Sequence, residues 1–333
     1  MQCLPPLRFN GLIHAVGMAC LILVGFTAAN ASEGCEVVRG ISYLESGGAV
    51  HQLDLYLPNA GAIETAGAAK TVGRRPLLVW IHGGGWAGGD KGDLREQQIG
   101  RRLADEGYVV ASINYTLASD EHSTWPEAIL DCKNAIRFLR RNAARWEIDP
   151  DRVCVGGGSA GAHLALMVAY THGIPEMTPA APYEGERDDV KAVLSFYGAT
   201  NFVTMQTTDG EGRPTGRPVA GKGISRFLGQ DRTVGEALWK KASPVSHVRP
   251  GIPATYLSHG KKDTTIDYLQ SVELYDLLKR TGIPCEMVLL ENTGHTYSFT
   301  HRGKAPLEKD LTPGILAFLH RHLPAADRKE GKE

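Results

Sequence analysis

Residues Val153 to Gly161 read Val-Cys-Val-Gly-Gly-Gly-Ser-Ala-Gly, and residues Ile81 to Trp86 read Ile-His-Gly-Gly-Gly-Trp. In the first stretch a short apolar strand, Val153 to Val155, runs into Gly157-Gly158-Ser159-Ala160-Gly161, which matches G-x-S-x-G. That pattern is a sharp strand-to-helix turn that lifts a serine oxygen clear of a sheet. The second stretch also follows an apolar run, and its glycines are of the kind that offer backbone N–H donors to an oxyanion. Each motif alone is modest, because Gly, Ser and Ala are common. In this order, each behind an apolar β-rich run, they point to acyl transfer by an activated serine.

The pattern around them is one of strands alternating with helices. Leu77 to His82 is a continuous apolar run, as in a strand buried on both faces of a parallel sheet. Further strands are predicted at Tyr108–Tyr115, Val190–Tyr197, Ala254–His259 and Cys285–Leu290. Helices are predicted at Leu94–Glu106 (ending at Gly107), Trp125–Asn142, Ala162–Tyr170, Asp267–Thr281 and Pro313–His322. The long second helix aligns Ile129, Cys132, Ile136 and Leu139 on one face. This alternation implies a mostly parallel central sheet with right-handed crossovers and helices on both faces. Val37–Tyr43 and Gln52–Leu57 read as an antiparallel pair before it, joined at Gly47-Gly48, the second strand half-buried with a period of two. Pro58–Pro76 reads as a solvent loop. Thr171–Asp189 and Thr204–Gly223 are long, polar and rich in Pro and Gly, and both are expected as insertions at the C-terminal edge of the sheet.

The chain has 333 residues, 42% of them hydrophobic and 22% charged, with a formal net charge of −1. That is globular composition, and it lacks the basic excess of a nucleic-acid binder. Arg8 is the only charged residue before Glu33, an apolar stretch follows it, and Ala29-Asn30-Ala31 is a small-x-small site. Residues 1–31 therefore read as a secretory signal peptide, which places the mature protein in the periplasm or outside the cell with no stable membrane anchor. A single domain over 32–323 and a charged tail over 324–333 make up the rest. Cys35, Cys132, Cys154 and Cys285 remain after cleavage; an oxidising compartment permits disulfides, and spacing does not choose among three pairings. Cys154 also reads as a buried free thiol in an apolar strand.

A serine hydroxyl needs a neighbouring base. In the order serine, acid, histidine, the base comes late in the chain. His295, in Asn292-Thr293-Gly294-His295, follows the last strand and so faces the same rim as Ser159. Among the other histidines, His14 is in the leader, His82 braces the glycine loop, His163 would face the sheet, and His320 and His322 lie in the terminal helix. Asp263, in His259-Gly260-Lys261-Lys262-Asp263, follows a strand in the same way and is the acid that would orient His295. Asp267 is the alternative. The oxyanion donors would be the N–H groups of Gly84, Gly85 and Ala160. Trp86 either walls the acyl side or packs in the core.

With Leu53-Asp54-Leu55-Tyr56-Leu57-Pro58, His82 to Trp86, Ser112-Ile113-Asn114-Tyr115, Gly157 to Leu164, His259-Gly260-x-x-Asp263 and Gly294-His295, the chain resembles the α/β-hydrolase superfamily. Within it the resemblance is to secreted carboxylesterases related to hormone-sensitive lipase and to the BD-FAE-like esterases, over roughly Tyr43 to Leu323. It implies the α/β-hydrolase fold, with nucleophile, acid and base on Ser159, Asp263 and His295 and oxyanion donors on Gly84 and Gly85. It implies no metal or organic cofactor. Gly158 departs from it, since relatives often carry a bulkier or acidic residue there. The expected function is a serine carboxylesterase acting on short-acyl or aryl esters, such as acetyl or feruloyl groups of polysaccharides. The alternatives are an arylformamidase-like amide hydrolase and a non-catalytic binding module on the same fold. Oligomeric state is not legible.

Overall fold

The computed structural model describes residues 34–45, 48–59 and 74–324. The expected signal peptide, Gly47, most of the Pro58–Pro76 loop and nearly all of the charged tail lie outside the described residues. The chain opens with β1 (Glu36–Ser42) and β2 (Gln52–Leu57), paired antiparallel as expected. There follow β3 (Arg75–Ile81), α1 (Leu94–Asp105), β4 (Val109–Ile113), α2 (Glu127–Arg141), β5 (Ile148–Gly158), α3 (Ala160–Tyr170) and β6 (Ala192–Phe196). The insertion after β6 holds a hairpin of β7 (Gln206–Thr208) and β8 (Pro214–Pro218), then α4 (Lys222–Leu228) and α5 (Arg232–Lys241). The chain continues through β9 (Ala254–Gly260), α6 (Leu269–Thr281), β10 (Cys285–Leu290), the short pair β11 (His301–Arg302) and β12 (Ala305–Pro306), and α7 (Thr312–His322).

Among the described residues eight strands form one sheet in the order β1-β2-β4-β3-β5-β6-β9-β10. From β4 to β10 every pairing is parallel, and only the β1–β2 and β2–β4 pairings are antiparallel. The period of two in the strands builds two cores. Leu77, Val79 and Ile81 of β3 point to one face, where α2, α3 and α6 pack. Leu78 and Trp80 point to the other, covered by Ile99 and Leu103 of α1 and Ile315, Phe318 and Leu319 of α7. Each such side chain contributes about 1.5–3 kcal/mol by leaving water, so the central strands are held from both sides.

The structure differs from the sequence reading at several points. β2 is buried on both faces, not one: Tyr56 lies under α1, where a Cβ on Gly100 would meet its ring, and Asp54 is buried against Arg39, Lys91 and the N–H of Gly40. β5 extends back beyond the expected Val153–Val155 to Ile148 through Asp149-Pro150-Asp151, with the β3 register shifting to absorb them. The Thr171–Asp189 insertion sits at the N-terminal edge of the sheet, not the C-terminal edge. It leaves the far end of α3, where the Tyr170 hydroxyl meets Thr255 Oγ1 (2.7 Å) at the start of β9, and Arg140 at the end of α2 binds the carbonyls of Arg187 and Asp189, both at 2.8 Å. A crossover helix must run back along the sheet, so whatever follows it starts at the opposite edge. The Thr204–Gly223 insertion does lie at the C-terminal edge, where Gly212 packs on Lys262 and Gly223 approaches the carbonyl of Gly85. The helices α4 and α5 were not expected; Gly223 and Gly235 lie inside them and interrupt the helical pattern. None of the four cysteines in the described residues is paired.

Candidate active site

Ser159 follows β5 directly and holds φ 58°, ψ −123°, a backbone region that non-glycine residues occupy at a strain of about 1–3 kcal/mol. The turn is fixed on both sides: the Ser159 N–H donates to the carbonyl of Phe196 (2.9 Å), and its own carbonyl accepts from the His163 N–H (3.1 Å). Gly161 passes so close to the carbonyls of Ile81 and His82 that a Cβ there would collide with both. The turn therefore projects the serine above the C-terminal edge of the sheet, where the loops after β3, β6, β9 and β10 also gather.

His295, five residues past β10, places Nε2 at 2.9 Å from Ser159 Oγ and Nδ1 at 2.6 Å from Asp263 Oδ2. A carboxylate only accepts, so Nδ1 carries the proton toward Asp263 and Nε2 is free to accept from the serine. The structure thus brings Ser159, His295 and Asp263 into one chain of hydrogen bonds. Asp263 is wholly buried. Its Oδ1 accepts from the N–H groups of Thr265 (2.8 Å) and Ile266 (3.0 Å), while His259 Nε2 stands 3.2 Å from the same Oδ2 that binds His295. Burial alone would raise its pKa, but the hydrogen bonds and positive potential of His259 and His295 prevail and hold the carboxyl well below the usual carboxylate range. Asp267, the alternative acid, faces elsewhere: its Oδ2 accepts the Gln206 N–H at 2.8 Å and tethers the β7–β8 hairpin. Burial raises its pKa.

Gly84 and Gly85 follow β3 with φ +125° and +61°. Among the described residues nothing accepts a hydrogen bond from the N–H of Gly84 or Gly85, and the N–H of Ala160, the first residue of α3, has no partner inside its own helix. His82 braces this loop, its ring buried and stacked on Tyr115 at 4.5 Å and its Nδ1 2.7 Å from the Gly83 carbonyl. Trp86 is a core residue: it stacks on Phe227 (5.2 Å), meets Phe202 edge-on and donates its indole N–H to His163 Nδ1 at 3.2 Å. His163 accordingly faces this aromatic cluster. His320 is on the outside of α7.

The sequence reading missed two neighbours of this hydrogen-bonded series. His259 was visible only as part of the His-Gly-x-x-Asp string, with a spacing of four to Asp263. Tyr197 had no signal. Its ring lies 4.9 Å from that of His295, its hydroxyl donates to the Tyr297 carbonyl at 2.8 Å, and that hydroxyl occupies the space a Cβ on Gly158 would enter. The bulk that relatives are expected to carry at position 158 is thus supplied here by Tyr197.

A serine elbow at the C-terminal edge of this strand order, with an acid after β9 and a histidine after β10, defines an α/β-hydrolase. The chain belongs to the BD-FAE family, whose model matches residues 53–278, a range that contains Ser159 and Asp263 and ends before His295. Among curated proteins it is similar to the probable carboxylic ester hydrolase LipM of Mycobacterium tuberculosis, 29% identical over 80% of this chain and 57% of LipM. It is also similar to esterase LipQ of the same organism, 31% identical over 74% of this chain and 56% of LipQ. The chain thus spans a little over half the length of these two relatives. A truncated carbohydrate esterase from gut microbiota superposes with a TM-score of 0.72 at 23% identity, covering 88% of this chain and 98% of that one. Propionate-bound esterase 2 of Thermogutta terrifontis gives 0.63 at 25%, over 88% and 97%.

Proposed function

We propose that the protein is a serine carboxylesterase that cleaves short-acyl esters through an acyl-enzyme, with acetyl or feruloyl groups on polysaccharide as the natural target class. The observation that carries this is the bonded series from Ser159 Oγ through His295 to Asp263, at 2.9 and 2.6 Å. Ser159 Oγ attacks the ester carbonyl as its proton passes to His295 Nε2. The oxyanion that forms is stabilised by the N–H groups of Gly84, Gly85 and Ala160, and Asp263 offsets the imidazolium. His295 then returns the proton to the leaving alcohol, and a water repeats the sequence on the acyl-serine. Short acyl groups are favoured because the insertion at this edge of the sheet carries an exposed hairpin, with Thr215 and Arg217 among its β8 residues, and not a large apolar lid. Esterase 2 of Thermogutta terrifontis, a structural relative, holds propionate. The leader-like N-terminus supports export.

The test is labelling by a fluorophosphonate probe alongside hydrolysis of p-nitrophenyl esters, acetylated xylan, methyl ferulate and N-formylkynurenine. Labelling and ester hydrolysis are expected, both lost in Ser159→Ala, with acetyl or butyryl turned over faster than dodecanoyl. Labelling that persists in Ser159→Ala refutes the nucleophile. Turnover of N-formylkynurenine alone would make the protein an amidase.

A further inference from the structure

Between β3 and α1 the chain runs through residues 82–93 as a loop of two limbs. The inner limb, His82 to Trp86, carries the N–H groups of Gly84 and Gly85, to which the reading above gives the oxyanion. Gly84, Gly85 and Trp86 take φ of +125°, +61° and +60° in succession. For the tryptophan that backbone costs about 1–3 kcal/mol, and such a conformation persists only where its surroundings hold it.

The outer limb, Ala87 to Asp93, lies directly on the inner one. A Cβ on Gly84 would run into the carbonyl of Gly88, and one on Gly89 would run into the carbonyl of Gly83. The two limbs thus touch through bare backbone, and any shift of the outer limb displaces the inner.

The end of β4 grips the outer limb. Ser112 Oγ donates to the Lys91 carbonyl at 2.8 Å. Asn114, just past β4, accepts the Lys91 N–H on Oδ1 at 2.7 Å and donates from Nδ2 to Asp90 Oδ2 at 2.8 Å and to the Ala49 carbonyl at 3.1 Å. The carboxamide is bonded at both ends, and the opposite orientation would set its NH2 against the Lys91 N–H. Asn114 is itself anchored: its N–H donates to the Gln52 carbonyl at 2.9 Å, and the residue is 8% exposed. A separation of two residues puts Ser112 and Asn114 on one side of the extended chain, and both reach the peptide groups of Lys91. Tyr115 donates its hydroxyl to the His82 carbonyl at 3.2 Å, at the root of the inner limb. The string Ser112-Ile113-Asn114-Tyr115 therefore holds the loop near both of its ends.

We propose that Asn114 is a positioning residue for the oxyanion donors: its carboxamide, helped by Ser112, fixes the outer limb and through it the direction of the Gly84 and Gly85 N–H groups. It acts through the backbone of the loop and not on the substrate. The proposal rests on the serine esterase reading above and adds the group that holds its oxyanion loop.

The test titrates the full-length protein and the variants Asn114→Ala and Ser112→Ala to completion with a fluorophosphonate probe, so that kcat on p-nitrophenyl acetate is expressed per reactive serine. A role confined to stability lowers the number of reactive serines and leaves kcat per site unchanged. The positioning role lowers kcat per site. In Asn114→Ala the fall is expected to be about thirtyfold, with KM moving less than about threefold, short of the roughly 10²–10³ that loss of an oxyanion donor costs. In Ser112→Ala it is expected to be about threefold, the worth of one neutral hydrogen bond. Trifluoroacetophenone gives a second reading. Ser159 Oγ adds to its carbonyl, the serine proton passes to His295 and the hemiketal carries the oxyanion, so its inhibition constant should weaken by the same factor as kcat falls. Unchanged kcat per site, a loss confined to KM, or an unchanged inhibition constant in Asn114→Ala overturns the proposal and leaves the esterase standing. If Asn114→Ala does not fold and yields no reactive serine, Ser112→Ala decides alone, and an unchanged kcat per site there overturns the proposal. Absence of Ser159-dependent hydrolysis in the parent takes down both.

Discussion

The indole N–H of Trp86 donates to Nδ1 of His163, 3.2 Å away, and thereby fixes the protonation of a histidine at the back of the nucleophile helix. Nε2 of the same ring is 2.8 Å from the Ala242 carbonyl, so it must be the nitrogen that carries hydrogen. A second proton on Nδ1 would set two donors against each other in a fully buried aromatic cluster. Burial accordingly pulls the His163 pKa from the usual 6.5 down to about 4.

That shift has a signed consequence for stability. The unfolded chain takes up the proton near pH 6.5 and the folded chain only near 4, so below pH 6.5 the unfolded state binds more protons and stability declines as pH falls. The His163 contribution is on the order of 3 kcal/mol across this window, with no dependence above it. Urea midpoints measured from pH 7 to pH 4 should show the slope, and His163→Gln should flatten it. Parallel slopes in the two proteins would show that His163 is not the titrating group.

Asp263 Oδ2 faces two imidazoles, His295 at 2.6 Å and His259 at 3.2 Å. His259 is itself held by Ser271 Oγ at 2.8 Å. In the proposed reaction it would act only through the carboxylate, as a positioning residue. His259→Leu is expected to lower kcat about tenfold with little change in KM, whereas Asp263→Asn, which removes the charge that orients His295, should lower kcat by about 10³–10⁴. Steady-state kinetics on p-nitrophenyl acetate separate the two. A His259→Leu effect confined to KM would contradict the positioning role.

Because the base must accept a proton, kcat/KM should fall as the medium is acidified and be level at alkaline pH. Asp263 does not contribute to this limb, since its carboxyl is held well below the usual range. A pH–rate profile that stays flat into the acid range would exclude an imidazole base.

Gly158 and Tyr197 compete for one volume. A Cβ on Gly158 would lie 2.6 Å from the Tyr197 hydroxyl oxygen, closer than side chains pack. Gly158→Ala should destabilise by about 1–3 kcal/mol, the usual range for overpacking. In Tyr197→Phe the same alanine should be better tolerated, so the double-mutant cycle should show coupling. Additive thermal shifts would mean that the backbone relaxes and that the pair is independent.

The oxyanion loop is testable at Gly84, where φ is +125° and a Cβ would run into the carbonyl of Gly88. Gly84→Ala must move the loop, and kcat should drop by roughly 10²–10³ if the Gly84 and Gly85 N–H groups hold the oxyanion. Retained fluorophosphonate labelling with lost turnover would fit. Unchanged kcat would assign the donors elsewhere.

What the sequence by itself determined was local. The continuous apolar run at β3 declared a buried parallel strand, because a period-two element covered on both faces needs apolar residues at every position. Gly157 and Gly161 declared the elbow because a tight strand-to-helix turn leaves no room for a Cβ at those two positions. The order of serine, aspartate and histidine after successive strands was enough to nominate Ser159, Asp263 and His295, since a parallel sheet delivers every strand end to one rim. Tertiary structure decided what depends on which distant atoms share space. Thr171–Asp189 reads like its sister insertion but lies at the opposite edge, because α3 runs back along the sheet before releasing it. Trp86 sits in a Gly-rich loop and is nevertheless core, because Phe202, Phe227 and His163, far from it along the chain, close around it. Neither the contact of His259 with Asp263 nor that of Tyr197 with His295 could be read from the residues around it in the chain. Periodicity and turn chemistry are properties of neighbouring residues, whereas a hydrogen bond or a shared cavity between residues a hundred positions apart exists only once the sheet has set the strand order.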